Sequence, residues 1–236
     1  MKTIWLLALL LAVSLIPLGG CGENSVTSAA PVNVMNREEI MLPEPQKDSD
    51  TSIEETLLER RSVREYSDKA LTLEQLSQLL WAAQGVTDPS GKRTAPSAGA
   101  LYPLKVYAVA GSVEGLAAGV YSYEPSSHSV TKVVDGDRRE ALARAAVGQS
   151  CVERGAIDIV IAAIYEITTV KYGERGIRYV HIEAGHAGQN ICLQAVGLKL
   201  GAVTIGAFDD AGVRQALELP EDEVPLYIIP VGNLTD

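Results

Sequence analysis

Two short stretches carry side chains at odds with their surroundings. In RRSVR, Arg60, Arg61, Ser62 and Arg64 gather three guanidiniums and a hydroxyl within five residues. A guanidinium fork matches the oxygens of a phosphate, so the group suits a bound dianion; at a helix end it equally suits a solvated basic tip. The second stretch, KRTAPSAGALYPLKVY at 92–107, holds almost no acidic or amide side chains and leads straight into an apolar run. Pro96 and Pro103 fix φ while Gly99 frees it, which makes a shaped connection rather than a loose one. Ser97 and the backbone N–H groups of Ala98 to Leu101 can then face something flat, polar-edged and close.

Other chemistries are excluded by what the chain lacks. No GxGxxG opens a βαβ unit and no GxxxxGK[ST] is present, so neither a dinucleotide fingerprint nor a P-loop is supported. Ser97 lacks the glycine two residues earlier that a nucleophile elbow requires. His181 and His186 in HIEAGH are five apart, about 140° around a helix axis, and cannot share one metal ion; no metal is expected. A net charge of −10 over 236 residues argues against a nucleic-acid partner. Arginines must therefore be judged locally, and Arg60/Arg61 and Arg138/Arg139 stand out as pairs.

The apolar fraction of 47% suits one domain with a full core. Residues 1–20 read as an export signal, with Lys2 followed by an uncharged apolar run from Ile4 to Leu18 that is short for a bilayer span. Leu18, Gly19, Gly20 and Cys21 resemble a bacterial lipobox, which would lipidate Cys21 and leave the protein anchored by lipid to the cell membrane, extracytoplasmic; an ordinary signal peptide is the alternative. Residues 21–50, rich in Pro, Asn, Ser, Glu and Asp, read as a flexible tether with a reach of roughly 30 Å. That leaves residues 51–236 as the domain. Cys151 and Cys192 provide no disulfide framework; Cys192 reads as a small buried hydrophobe, and a bond to Cys151 stays open.

Helix and strand signals alternate through the domain. A capped helix opens near Thr51 and Ser52, and a second carries a capping box at Thr72 and Gln75 with Leu73, Leu76, Leu79, Leu80 and Ala83 at helical spacing. Then come a strand at 104–110, a hairpin at 119–134, a helix at 138–147 and a strand at 157–164. The chain closes with a long helix at 177–199, a strand at 201–206, a short helix at 209–218 and a last strand at 225–231. The mixture predicts an α+β or α/β sandwich with helices on both faces of a sheet.

Taken together, ERRSVREYSDKALTLEQLSQLLWAAQGVT, APSAGALYPLKVY, KYGERGIRYVHIEAGHAGQNICLQAVGLKLGAVTIGAFDD and LPEDEVPLYIIPVG resemble the nitroreductase superfamily, and within it the SagB/ThcOx-type dehydrogenases. The resemblance runs in order from about Glu54 to Gly232. It implies an α+β fold, a three-layer α/β/α sandwich, with FMN as cofactor and a homodimer whose two sites lie between subunits. Arg60, Arg61 and Ser62 would hold the phosphate and ribityl chain. Arg64 would reach the pyrimidine edge, where a fixed cation stabilises the negative charge of reduced flavin. Pro96, Ser97 and Ala98 would contact the isoalloxazine and Ala100 and Leu101 would border it, from the same or the partner subunit. Ile205 and Gly206 would set backbone donors near N5.

Lys171 and Tyr172 match a Lys-Tyr pair that azoline-oxidising relatives carry close to the flavin. Removing hydride from carbon also requires loss of a proton, so Lys171, its pKa lowered by burial or a nearby cation, is the expected base, with Tyr172 orienting substrate or relaying the proton. A solvent-facing lysine beside a packing tyrosine is the alternative. The resemblance breaks at the carboxyl end, where a basic residue that helps hold phosphate in many relatives is replaced by Asn233, Leu234, Thr235 and Asp236; either the phosphate is held more weakly, or Arg214 or another residue compensates. Two functions are implied. One is a lipid-anchored FMN oxidoreductase acting on a small-molecule or peptide substrate, an amine, imine or azoline in one direction or a nitro or quinone compound in the other. The other is a lipoprotein that binds flavin or another ligand without turnover.

Overall fold

Alternation in IDIVIAA builds the centre of the molecule. In this strand, Ile157–Ala163, the side chains of Ile157, Ile159 and Ile161 enter one apolar cluster and those of Val160 and Ala162 enter another on the opposite face. A strand buried on both faces needs helices above and below it. The computed structural model describes residues 39–235 and supplies both layers. In chain order the elements are β1 (Glu39–Met41), α1 (Ile53–Glu59), α2 (Leu73–Gln84), β2 (Leu104–Ala110), β3 (Gly119–Glu124), β4 (Ser129–Asp135), α3 (Arg139–Ala145), α4 (Ser150–Arg154), β5 (Ile157–Ala163), α5 (Tyr165–Tyr172), α6 (Arg175–Gly197), β6 (Leu200–Ala202), α7 (Asp210–Leu217) and β7 (Val224–Asn233).

The strands form one seven-stranded sheet in the order β1-β4-β3-β2-β5-β7-β6, and its neighbours pair antiparallel throughout. On one face Leu76, Leu79 and Leu80 of α2 and Ala187 and Ile191 of α6 pack with Ile159, Ile161 and Ile229. On the other, Leu142 of α3, Val152 of α4 and Val213 and Leu217 of α7 pack with Val109, Val160 and Ile228. The three-layer α/β/α sandwich is therefore the observed architecture. The capping box also forms: the Gln75 amide donates to Thr72 Oγ1 at 3.2 Å and the Thr72 amide to Gln75 Oε1 at 2.9 Å.

Three features depart from the sequence reading. The tether ends earlier than residue 50, because β1 pairs with β4 and Leu42 is buried with its amide donating to the His128 carbonyl at 3.1 Å. His128 holds that segment further, with Nδ1 2.9 Å from Tyr123 Oη and Nε2 3.0 Å from the Pro43 carbonyl. The strand expected at 201–206 stops at Ala202, and Ile205 pairs separately with Ile228. Finally, α4 and α5 occupy segments read as connections. The export signal, Cys21 and residues 22–38 lie outside the described residues. Among the described residues no helix is long and apolar enough to cross a membrane, and Cys151 and Cys192 are buried free thiols rather than a disulfide.

Asp158 interrupts the apolar pattern of β5. It is completely buried, and neither carboxylate oxygen has a hydrogen-bond partner. Burial holds its carboxyl well above the usual carboxylate range against the smaller pull of Arg139. An acid with a raised folded pKa is protonated in the native state and ionises on unfolding, so stability falls as pH rises above the ordinary value of 3.8. Asp158→Asn removes the ionisation and nearly keeps the shape. In thermal unfolding the variant should match the parent near pH 4 and exceed it increasingly toward pH 8; a difference independent of pH would rule this out.

Candidate active site

Beyond α1 the chain becomes a strap against the sheet edge. Ser52 caps the helix by accepting the Glu55 amide, and the helix ends at Arg60. Ser62 then bridges Ala202 in parallel, the Val63 amide donates to the Ala202 carbonyl at 3.0 Å, and Tyr66 Oη donates to the Val63 carbonyl at 2.8 Å. The strap lies so close that a Cβ on Gly201 would come 2.6 Å from Val63 Cγ1, and one on Gly232 would come 2.7 Å from Tyr66 Cβ. Arg61, Ser62 and Arg64 are exposed and Arg60 is half-buried. The Arg61 guanidinium turns back to the Leu58 and Arg60 carbonyls at 2.9 and 2.8 Å, so part of it serves the helix terminus. Among the described residues none of these arginines pairs with a carboxylate. Such a cluster is suited to an anion.

The other arginines that the sequence singled out, Arg138, Arg139 and Arg214, are committed elsewhere. Arg139 donates to the Gly155 carbonyl at 2.7 Å and is paired with Asp137, Arg138 meets Glu218, and Arg214 donates to the Pro220 carbonyl at 3.2 Å. Arg214 is therefore turned into its own corner of the fold rather than free to compensate for the missing carboxyl-terminal base.

The segment entering β2 is shaped more tightly than its glycine alone requires. Gly99, Ala100 and Tyr102 have φ of 64°, 54° and 52°, left-handed values that are costly for the last two. Ser97 Oγ accepts the Tyr102 amide at 2.8 Å, and the Ala98 amide donates to Glu183 Oε1 at 2.8 Å. The Ala100 and Leu101 amides turn inward to the Ser97 and Ala98 carbonyls at 3.1 and 3.4 Å. This corrects the expectation of free N–H groups at Ala98, Ala100 and Leu101, whose donors go to the loop itself and to α6. The loop presents Pro96, Gly99 and Ala100 outward as a surface of small groups.

Lys171 and Tyr172 end α5, where Gly173 takes φ 58° and ψ −151° and turns the chain into α6. They arrive beside Gly99. A Cβ built there would sit 2.7 Å from Tyr172 Oη and 2.8 Å from Lys171 Nζ, so the pair closes over a bare Cα. The sheet register explains the meeting: Leu104 opens β2 opposite Ala163, the end of β5, and the Ile164 amide donates to the Pro103 carbonyl at 3.0 Å. The loop before β2 and the helix after β5 must share one corner. Lys171 is exposed rather than buried, while Tyr172 is half-buried with its ring edge-on to Tyr179 at 5.3 Å.

Glu183 is the residue sequence reasoning missed. In HIEAGH only the histidines attract a ligand reading, and a glutamate inside a long helix is ordinarily solvated. Here it is buried beneath the loop, and burial raises its carboxyl above the usual range although the Ala98 amide and Ser97 favour the ionised form. The one available signal is its spacing, three residues after the buried Val180 and four before the buried Ala187, which puts it on the inward face of α6.

Ile205 and Gly206 divide between structure and site. The Ile205 amide donates to the Ile228 carbonyl at 2.8 Å and its side chain is buried, which leaves Gly206, exposed, as the free backbone of that pair. Gly206 forms part of the wall of a cavity of about 310 Å³.

The structure does not bring all these residues together in one chain. Ser62 lies one strand beyond β6, level with Val231, whereas Leu104 lies level with Val224. Four strand spacings of ~4.8 Å and seven residues of ~3.4 Å place the two corners about 30 Å apart. Gly206 lies between the two levels, since Ile205 pairs with Ile228, and α6 touches both neighbourhoods: Glu183 meets Ala98, while Ala184 lines the cavity with Gly206.

Comparison with known proteins gives a consistent picture. Residues 57–233 match the model described as the Nitroreductase family. A Methanocaldococcus jannaschii protein whose name places it among nitroreductases is 46% identical over 195 residues, 83% of this chain and 96% of that one. The Escherichia coli microcin B17-processing protein McbC is 30% identical over 174 residues, 70% of this chain and 64% of its own length. Among solved structures, a Ralstonia eutropha protein described as a nitroreductase superposes with a TM-score of 0.75 at 30% identity, covering 84% of this chain and 90% of that one. A chain of the Escherichia coli microcin synthetase McbBCD complex with truncated pro-MccB17 bound superposes at 0.65 with 26% identity, covering 91% and 86%.

Glu183→Leu leaves the Ala98 amide without its acceptor and should cost about 1–3 kcal/mol in urea unfolding, while Glu183→Gln, which keeps an acceptor, should cost less. Limited proteolysis should nick the Leu variant faster within residues 96–102. Equal stability of the two variants would show that Glu183 does not hold the loop.

Proposed function

Because this chain belongs to the nitroreductase family of oxidoreductases, we propose that it is an FMN-dependent dehydrogenase of the SagB/ThcOx type. We further propose that it works as a homodimer held by a lipid on Cys21 at the outer face of the membrane. The observation that carries the reading is the closure of Lys171 and Tyr172 over Gly99: two segments about seventy residues apart that the family resemblance assigns to the flavin meet in one corner. Likeness to McbC and to the trifolitoxin operon protein TfxC of Rhizobium leguminosarum favours this branch.

The residues present fit the cofactor. Arg60, Ser62 and Arg64, which pair with no carboxylate among the described residues, are suited to its phosphate and pyrimidine edge, with Arg61 partly committed to the helix end. Gly206 offers backbone without a side chain, and the small groups of the 96–101 loop admit a flat ring. An FMN molecule is shorter than the about 30 Å between the corners, so the loop is suited to border the flavin of a second chain. Exposed apolar residues support such a partner: Leu58 on α1 is 73% exposed and Val170 on α5 is 89% exposed.

Bound there, FMN supplies the hydride acceptor. Lys171 Nζ, entering the step as the free amine, would take the proton lost from the substrate carbon or nitrogen, directly or through Tyr172 Oη, and become the ammonium. Since Lys171 is exposed in the single chain, the dry surroundings that sharpen proton transfer would come from the partner and the substrate. An extracytoplasmic location favours oxidation, because nicotinamide donors are scarce there.

Purified protein should be yellow, sediment as a dimer and release FMN rather than FAD on denaturation, and Arg60→Ala with Ser62→Ala should loosen retention. Lys171→Ala should keep the flavin and the dimer yet slow the substrate half-reaction by about 10²- to 10⁴-fold, leaving reduction by dithionite unchanged. A colourless protein that refuses FMN would sink the cofactor assignment, and an unimpaired Lys171→Ala enzyme would remove the base. For the anchor, Cys21→Ser should abolish partition into detergent; unchanged partition would reject lipidation at that residue.

A further inference from the structure

Tyr102 closes the loop that enters β2, and its φ of 52° is one that a bulky side chain avoids unless its surroundings impose it. Ser97 Oγ holds its amide. Its ring is held at two points by a single residue. The Arg93 guanidinium lies over the ring face, with Cζ 4.5 Å from the centroid, and the Arg93 amide donates to Tyr102 Oη at 3.3 Å. Face and tip are gripped together, so the ring cannot move away without breaking both contacts.

Arg93 is itself fixed to the end of α2. It bridges Val86 in an antiparallel pair, flanked by the Thr87 amide on the Lys92 carbonyl at 2.7 Å and the Thr94 amide on the Gly85 carbonyl at 2.9 Å. Its side chain donates from Nη1 to Oε1 of the buried Gln84, the last residue of α2, at 3.0 Å. Half-buried, Arg93 belongs to none of the ion pairs among the described residues, and burial pulls its pKa below the ordinary value. The negative face of the Tyr102 ring is the electrostatic complement it has. A planar guanidinium can lie flat on a ring while donating from its edge, whereas an ammonium is a point charge without that plane.

We propose that Arg93 is a positioning residue for the candidate site: by clasping Tyr102 against the end of α2 it holds the 96–102 loop in its left-handed form and so keeps Gly99 beneath Lys171 and Tyr172. The pair closes over the bare Cα of Gly99, and that Cα stays in place only while the backbone that follows it keeps its strained course. Arg93 acts through Tyr102 and touches neither member of the pair. The proposal rests on the flavin reading in one respect, that this loop borders the cofactor.

The test is hydrogen–deuterium exchange of the purified full chain, read amide by amide by nuclear magnetic resonance. Arg93→Ala and Tyr102→Leu should each speed exchange at the amides of residues 98 and 102 by about tenfold, the worth of a partly desolvated cation–π contact, and leave the amides of β2 and β5 as slow as in the parent. Tyr102→Phe, which keeps the ring face, should stay close to the parent, and Arg93→Lys should behave like Arg93→Ala. The double variant Arg93→Ala with Tyr102→Leu should exchange no faster than either single one, since both remove the same contact. The two Tyr102 variants leave Arg93 in place and decide the matter even where Arg93→Ala does not fold. With FMN added, Arg93→Ala should change the visible circular dichroism of the bound flavin while its affinity, held by the arginine corner, stays the same. Unchanged exchange in Arg93→Ala, additive effects in the double variant, an Arg93→Lys protein equal to the parent, or a loosened loop beside an unmoved flavin spectrum would overturn the proposal. A colourless protein whose loop loosens in Arg93→Ala keeps the clasp and loses the cofactor reading, whereas a yellow protein whose loop is indifferent to Arg93 does the reverse.

Discussion

The antiparallel pairing of β2 with β5 is the constraint from which the site arises. Both strands are buried on both faces by the helix layers, so polar chemistry has no place within them except at a cost, as the unpartnered Asp158 illustrates. It is displaced to where the strands begin and end. Because Leu104 pairs with Ala163, the loop that introduces β2 and the helix that leaves β5 are held in one corner. Gly99 meets Lys171 and Tyr172 as a consequence of register, whatever the loop's own preference.

That corner is held against backbone strain. Ala100 and Tyr102 adopt left-handed φ that an unconstrained chain avoids, and the conformation persists because Ser97 Oγ and Glu183 take up the amides around it. The long helix thus has two roles: its apolar stripe covers the sheet, and Glu183 on the same inward surface fastens the loop. A carboxylate in that position is an expensive tie, since burial opposes its ionised form, but a directional one.

Much of this is legible in the chain because local signals and global packing agree. The capping box at Thr72 and Gln75, the β-branched alternation of β5 and the hairpin of β3 and β4 are each written in a few neighbouring residues, and each forms where expected. What is not legible depends on contacts made far away. β1 is three residues long and exists through its pairing with β4 and the grip of His128 on Pro43, so its sequence reads as linker. The strand at 201–206 breaks because Val203 and Ile205 pair with β7 apart from Ala202, which no pattern within GAVTIG encodes. For the site, residue types were readable and their directions were not. Ser97 turns inward to Tyr102, Arg61 folds back on its helix, and Glu183 is buried, all decided by partners 1 to 85 residues away.

The distribution of the site residues also bears on assembly. The arginines of RRSVR lie beyond β6 at one corner of the sheet, and the loop with Lys171 and Tyr172 lies at the diagonal corner. A ligand that needs both must be gripped by two chains. If the arginine corner of one chain faces the loop corner of another, a two-fold axis makes the reverse contact at the same time, so closing one site closes the second. In the proposed dimer neither corner is then a vestige: each chain gives half of two sites. Apolar residues exposed on α1 and α5 lie next to those corners in sequence, Leu57 and Leu58 just before Arg60 and Val170 just before Lys171. Burying them would dry the same places where charge has to be stabilised, which is where the loss of water strengthens a guanidinium or an ammonium most.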